Sequence, residues 1–206
     1  MNLNTPVIGI LRGVDPGFFQ EIMGVSFASG LDALEITMNT QGALDILRKN
    51  LSGVPTGKYL GIGTICCLDQ AKQAADAGAM FFVTPNLDTS VIEFACSRNI
   101  PVIAGAFTPT EIYTAWAAGA AMVKVFPCHR FGPGYIKDLR GPFDQIPLAA
   151  VGGVTVDNVA DYFYAGVNAV GVGDSLFGKR AMEQRCVEAV GDNVRRFIEE
   201  CPKITN

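Results

Sequence analysis

Eight short apolar runs rich in β-branched residues recur along the 206-residue chain, spaced by about 20 to 26 residues. They are Val7–Leu11, Ala33–Met38, Tyr59–Ile62, Met80–Val83, Pro101–Ala104, Met122–Phe126, Leu148–Val151 and Ala169–Val172. Between them lie stretches with helical spacing: Gly17–Ser29, Gly42–Asn50, Leu68–Ala77, Thr89–Arg98, Pro109–Ala118, Gly134–Leu139 and Val156–Ala165, with a last helix expected over Glu183–Glu200. One run plus one helix is the length of a single βα unit. Glycines 30, 78, 119 and 166 fall just before the next run, where a left-handed residue ends a helix. Eight alternating units predict a parallel sheet covered on both faces. For one domain spanning 1–206, closure into a (β/α)8 barrel is the favoured solution. An open doubly wound sheet is the alternative, but a GxGxxG turn would normally open its first unit, and Gly9–Gly13 supplies none.

Composition narrows the function. Hydrophobic residues make up 49% of the chain and charged residues 17%, enough for a large core. The formal net charge of -4 and the absence of any Lys/Arg-rich run argue against a nucleic-acid partner. No apolar stretch is long enough to cross a membrane, and the start of the chain lacks the basic, apolar pattern of a signal peptide. Six cysteines without CxxC spacing read as reduced thiols, so a cytoplasmic protein is expected. With His129 as the sole histidine, no metal site and no cofactor are expected, and His129 itself reads as a loop residue.

In such barrels the working residues stand at the C-terminal ends of strands. Two of those ends carry charges in otherwise apolar runs: Glu35 in ALEITM and Lys124 in MVKVFP. Strand alternation puts Met122, Lys124 and Phe126 on one face, expected to be the barrel interior. Burial disfavours a charged amine, and a neutral lysine amine is a nucleophile for ketones. A nearby carboxyl group could then exchange protons with the intermediates. The alternative is an interior Lys–Glu ion pair with no chemistry. The last two strands end in glycine, at Gly152-Gly153 and Gly173-Asp174-Ser175, where bare backbone N–H groups could hold a phosphate. Asp174 fits poorly there, because a carboxylate repels phosphate. Arg12, directly after the first strand, could fork onto a carboxylate or phosphate.

The ordered set ILRG (10–13), LEIT (34–37), GIGT (61–64), VTPN (83–86), MVKVFP (122–127), GPF (141–143) and VGGV (151–154) resembles the 2-keto-3-deoxy-6-phosphogluconate / 4-hydroxy-2-oxoglutarate aldolase family. The resemblance implies a homotrimeric (β/α)8 class I aldolase. Such an enzyme cleaves a phosphorylated keto acid to pyruvate and glyceraldehyde 3-phosphate. It further implies Lys124 as the Schiff-base lysine, Glu35 as general acid/base, and Thr64 near the pyruvyl carboxylate. Pro85 and Phe126 would shape the pocket floor, and Gly152, Gly153, Gly173 and Ser175 would hold the phosphate. The chain departs from the gluconate branch in two places: Met38-Asn39-Thr40 lacks that branch's arginine, and Val151 replaces its threonine. Both features, with ILRG and VTPN, are closer to the 6-phosphogalactonate branch, which leaves the anion-binding task to Arg12. Two other readings stay open. One is a phosphosugar isomerase or epimerase using Glu35 as base and Lys124 as an electrostatic clamp. The other is a non-catalytic phosphometabolite-binding barrel.

Overall fold

The computed structural model describes residue 1 and residues 3–202. Eight parallel strands close on themselves in sequence order. They are β1 (Val7–Leu11), β2 (Ala33–Thr37), β3 (Tyr59–Gly63), β4 (Phe82–Val83), β5 (Val102–Ala106), β6 (Met122–Val125), β7 (Leu148–Val151) and β8 (Ala169–Val172). The seam is the β1–β8 pairing, with Ile8 opposite Gly171 and Gly9 opposite Val172. Helices follow the strands: α1 (Phe19–Ala28), α2 (Ala43–Asn50), α3 (Leu68–Asp76), α4 (Thr89–Ser97), α5 (Pro109–Ala117), α6 (Gly132–Arg140) and α7 (Val159–Tyr164). After β8 come α8 (Asp174–Phe177), α9 (Lys179–Glu183) and α10 (Val187–Glu199). The expected barrel is therefore the observed one. No helix among the described residues is long and apolar enough to cross a membrane.

Two boundaries differ in an instructive way. The last helix does not run from Glu183 to Glu200. It breaks between α9 and α10, where Arg185 sits in the left-handed region at φ 51° and cannot continue a helix. The helix expected at Val156 starts at Val159, because the Asn158 side chain accepts the Thr155 N–H and holds those residues in a turn. Gly30, Gly78, Gly119 and Gly166 all have positive φ, as the helix-to-strand joints require.

Strand alternation creates two apolar layers. Outward residues such as Leu34, Ile36, Val123, Val125 and Val170 pack under the helices. Inward residues form a separate cluster of Ile8, Ala33, Phe81, Val83, Ile103, Ala149, Val151 and Ala169, with Met122 against it. This plug fills the lower barrel. Above it, the inward positions of three strands are glycine: Gly61 and Gly63 on β3, Gly105 on β5 and Gly171 on β8. The missing side chains leave room for those of Glu35 and Lys124. In register, Glu35 lies opposite Gly61, while Lys124 lies between Gly105 and Ala149.

A charge pair, Lys58 with Asp32, stands at the N-terminal end of the barrel. Asp32, 3% exposed at its side chain, accepts hydrogen bonds from the Asn4 and Thr5 backbone and from Lys58 Nζ at 2.6 Å. Every contact of this carboxylate serves to staple chain to chain, as expected at the stability face of the barrel.

A pair of glycine substitutions tests this packing. At Gly61 an added methyl would stand 2.5 Å from the Phe81 carbonyl oxygen, so Gly61→Ala should cost about 1–3 kcal/mol through overpacking. At exposed Gly24, inside α1, nothing lies within 4 Å, and Gly24→Ala should stabilise by about 0.5–1 kcal/mol. Urea unfolding of both variants measures the contrast. Equal effects would contradict it.

Candidate active site

A cavity of about 420 Å³ opens at the C-terminal ends of the strands. All eleven residues singled out in the sequence as candidates for the site line it. Arg12 and Glu35 stand on its β1 and β2 side, and Thr64 and Pro85 at the ends of β3 and β4. Lys124 comes from β6 and Phe126 from just after it, Gly152 and Gly153 follow β7, and Gly173, Asp174 and Ser175 follow β8.

Lys124 and Glu35 point inward from opposite parts of the wall, 5% and 2% exposed. Burial pushes the Lys124 amine below its ordinary range; the Glu35 charge pulls it back up, and Arg12 presses it down again. Burial likewise raises the Glu35 carboxyl to about 6, against the opposing pull of Lys124 and Arg12. Both shifts favour the uncharged forms, an amine and a carboxylic acid, and the Glu35 carboxyl, at about 6, readily gives and takes a proton near neutral pH. The face of Phe126, whose ring centre is 4.8 Å from Lys124 Nζ, favours a cation on the same nitrogen. Burial is the largest of the influences that set the direction of the Lys124 shift.

The two groups are not locked together. Among the described residues no ion pair within 4.0 Å joins Lys124 to Glu35, and Glu35 Oε2 is buried without a hydrogen-bond partner. The interior ion pair that was one reading of the sequence is thus not formed. Asp32 provides the contrast: a buried carboxylate with a structural task has its oxygens engaged, whereas Glu35 keeps one free. An unpartnered buried oxygen costs about 1–3 kcal/mol, which a bound hydroxyl or water can recover.

The surrounding backbone explains how this arrangement holds. A side chain at Gly63 would run into the Glu35 carboxyl group, so only glycine leaves that space. One at Gly105 would overlap the Pro85 backbone; instead the Gly105 N–H donates to the Thr84 hydroxyl at 2.8 Å, which fixes the turn carrying Pro85. Thr64 stands at φ 59°, a conformation that costs a β-branched residue about 1–3 kcal/mol. Strain of this kind at a cavity wall is a mark of a functional position, and nothing in the residue type announces it. Gly152 and Gly153 both have positive φ. His129, exposed after β6, packs on Gly153 and donates its backbone N–H to the Gly152 carbonyl, so it braces the glycine pair. Sequence reasoning also missed Ile10 and Val172 in the wall, whose apolar character carries no functional signal.

The electrostatic coupling is directly measurable. Removing the Glu35 charge removes the interaction that raises the Lys124 amine, so Glu35→Gln should move the pH midpoint of Lys124 acylation downward. Arg12→Ala should move it upward. Peptide mass spectrometry after pH-dependent acylation reads both, and midpoints that stay in place would contradict the coupling.

The comparisons with known proteins agree with this geometry. The family model for KDPG and KHG aldolase matches residues 5–192. The probable 2-dehydro-3-deoxy-6-phosphogalactonate aldolase of Rhizobium meliloti (strain 1021) is 36% identical over 176 residues, 85% of this chain and 83% of that protein. The 2-dehydro-3-deoxy-phosphogluconate aldolase of Pseudomonas aeruginosa PAO1 is 35% identical over 181 residues, 87% of this chain and 80% of that protein. A solved native KDPGal structure superposes with a TM-score of 0.91 at 32% identity, covering 97% of this chain and 96% of that one. A match over most of the barrel, by sequence and by shape, makes this chain a member of the KDPG and KHG aldolase family.

Proposed function

We propose that this chain, acting as one barrel domain over 1–206, is a class I aldolase. Its reading as such rests on one observation: a buried amine on Lys124 and a buried, unpartnered carboxyl oxygen on Glu35 share a cavity without pairing to each other. The substrate class is a 6-phosphorylated 2-keto-3-deoxy sugar acid, and the products are pyruvate and glyceraldehyde 3-phosphate.

The neutral Lys124 amine adds to the C2 ketone, and loss of water leaves a protonated Schiff base. Glu35 moves the protons of these steps through a water and then takes the C4 hydroxyl proton. As the C3–C4 bond breaks, its electrons flow into the iminium. C4 to C6 leave as the aldehyde, and C1 to C3 remain as an enamine. Protonation at C3 and hydrolysis release pyruvate and restore the amine. The Phe126 ring and the Glu35 carboxylate stabilise the positive nitrogen of the intermediate, which is where their attraction contributes to the rate. Thr64 would take the pyruvyl carboxylate, and Pro85 and Phe126 would shape the floor, as the family resemblance implies; all three line the cavity. The backbone N–H groups of Gly152, Gly153 and Gly173 and the Ser175 hydroxyl would take the phosphate. Asp174 stands in the same wall, and its carboxylate works against that anion.

The phosphogalactonate epimer is the preferred substrate in this reading. Asn39 and Val151 support it, since they occupy positions where the gluconate branch carries arginine and threonine. Overall identity to the two kinds of relative is nearly equal and does not decide. The family resemblance supports a cytoplasmic homotrimer, and light scattering should return three times the chain mass; a monomer would remove that part.

Borohydride reduction in the presence of pyruvate should add a covalent mass at Lys124, and Lys124→Ala should abolish it. Pyruvate release from the two phosphorylated epimers, assayed side by side, should be faster with the galactonate type. Isomerisation of a phosphosugar with no adduct at Lys124 would instead establish the isomerase reading. Equal, negligible release from both epimers would remove the substrate assignment.

A further inference from the structure

Arg12 is the cation that the active-site cavity shares with a neighbouring one. It lies in the wall of the catalytic cavity and also in that of a second cavity of about 320 Å³, lined by Asp15, Asp174, Glu183 and Arg185 among others. Asp15 is engaged by Arg185 at 3.0 Å, and Lys179 pairs with Glu183 at 4.0 Å. Asp174 belongs to both walls and, among the described residues, is in no ion pair within 4.0 Å. A long, exposed arginine beside an unengaged carboxylate has an alternative to its task in catalysis.

Two contacts oppose that alternative, and both come from the loop after β2. Arg12 Nη1 donates to Asn39 Oδ1 at 3.2 Å. The next residue, Gly13, at φ 64°, donates its N–H to the Thr40 hydroxyl at 2.9 Å. That hydroxyl in turn pairs with the Thr37 hydroxyl at 3.0 Å; both threonines are buried, and the Thr40 N–H donates to the Thr37 carbonyl at 2.8 Å. Thr37 closes β2, two residues after Glu35. The backbone under Arg12 is therefore tied to the strand that carries the carboxyl group. The single bond from Asn39 occupies one N–H of the guanidinium and leaves the rest of its fork for an anion.

We infer that Asn39, supported by the Thr37–Thr40 hydroxyl pair, is a positioning residue that holds Arg12 in the catalytic cavity as its anion-binding group. The inference rests on the proposed aldolase reading for the identity of that anion. The neutral amide at position 39 supplies an acceptor and adds no charge of its own, so one guanidinium serves the cavity mouth.

The test is a double-mutant cycle. Steady-state pyruvate release from the 6-phosphorylated substrate is compared for the parent, Asn39→Ala, Arg12→Ala and the double variant. Losing a hydrogen bond to a charged group should raise KM by about tenfold in Asn39→Ala, with a smaller effect on kcat. The double variant should be no worse than Arg12→Ala, because Asn39 acts through Arg12. Thr40→Val should fall in the same direction and Thr40→Ser should recover most of the loss. The same cycle is run by titration calorimetry with inorganic phosphate, which needs no turnover. Additive losses, or an unchanged KM and phosphate affinity in Asn39→Ala, would overturn the inference. A parent that cleaves neither epimer while the phosphate cycle remains non-additive would remove the proposed reaction and leave the positioning role standing.

Discussion

The cost of an ion in an apolar interior governs this molecule. A lysine at the inner face of β6 keeps its charge only at a cost, and among the described residues no carboxylate lies within 4.0 Å to offset it. Burial therefore drives it toward the amine, while the same burial drives Glu35 toward the acid. The two displacements bring the ranges of amine and acid closer together, which eases proton exchange between the groups and a bound substrate. A tight ion pair would have satisfied both charges and removed both reactivities. The separation between them is what keeps the site chemical.

That separation depends on what is missing from the neighbouring strands. Gly63 leaves space for the Glu35 carboxyl group, and Gly105 lets the Pro85 turn approach β5. Lys124 is flanked in register by Gly105 and Ala149, so its long side chain can rise beside bare backbone. Below, Phe81, Ile103 and Val151 fill the barrel and exclude water from the underside of the site. Core and cavity are one design: large inward residues where the fold needs packing, glycine where the chemistry needs room.

Much of this was legible in the sequence, for physical reasons. Strand period and turn residues located all eight strands, because a strand buried on both faces leaves a nearly unbroken apolar run. Lys124 and Glu35 stood out because charges in such runs are costly. The glycines after β7 and β8 stood out at strand ends, and the pair after β7, Gly152 and Gly153, has the positive φ that favours glycine. What escaped was what depends on tertiary contact. Nothing in the sequence placed Thr64 in the left-handed region. The spacing predicts a helix from Val156, yet Asn158 holds those residues in a turn, and Arg185 splits the helix expected from Glu183. Asn39 was noticed as the absence of an arginine, and its hydrogen bond to Arg12 appears only once two loops meet. The expected Lys–Glu alternative, an ion pair, also required coordinates to decide.

The Lys124 amine, buried and unpaired among the described residues in a cavity it shares with Glu35, is free to attack a ketone. A crystal structure of the protein soaked with pyruvate tests this most directly. The account predicts continuous electron density from Lys124 Nζ to the pyruvate C2, with a Glu35 oxygen within hydrogen-bonding reach of the adduct. Pyruvate bound in the cavity with no bond to Lys124, or Lys124 closed onto Glu35 as an ion pair, would contradict it.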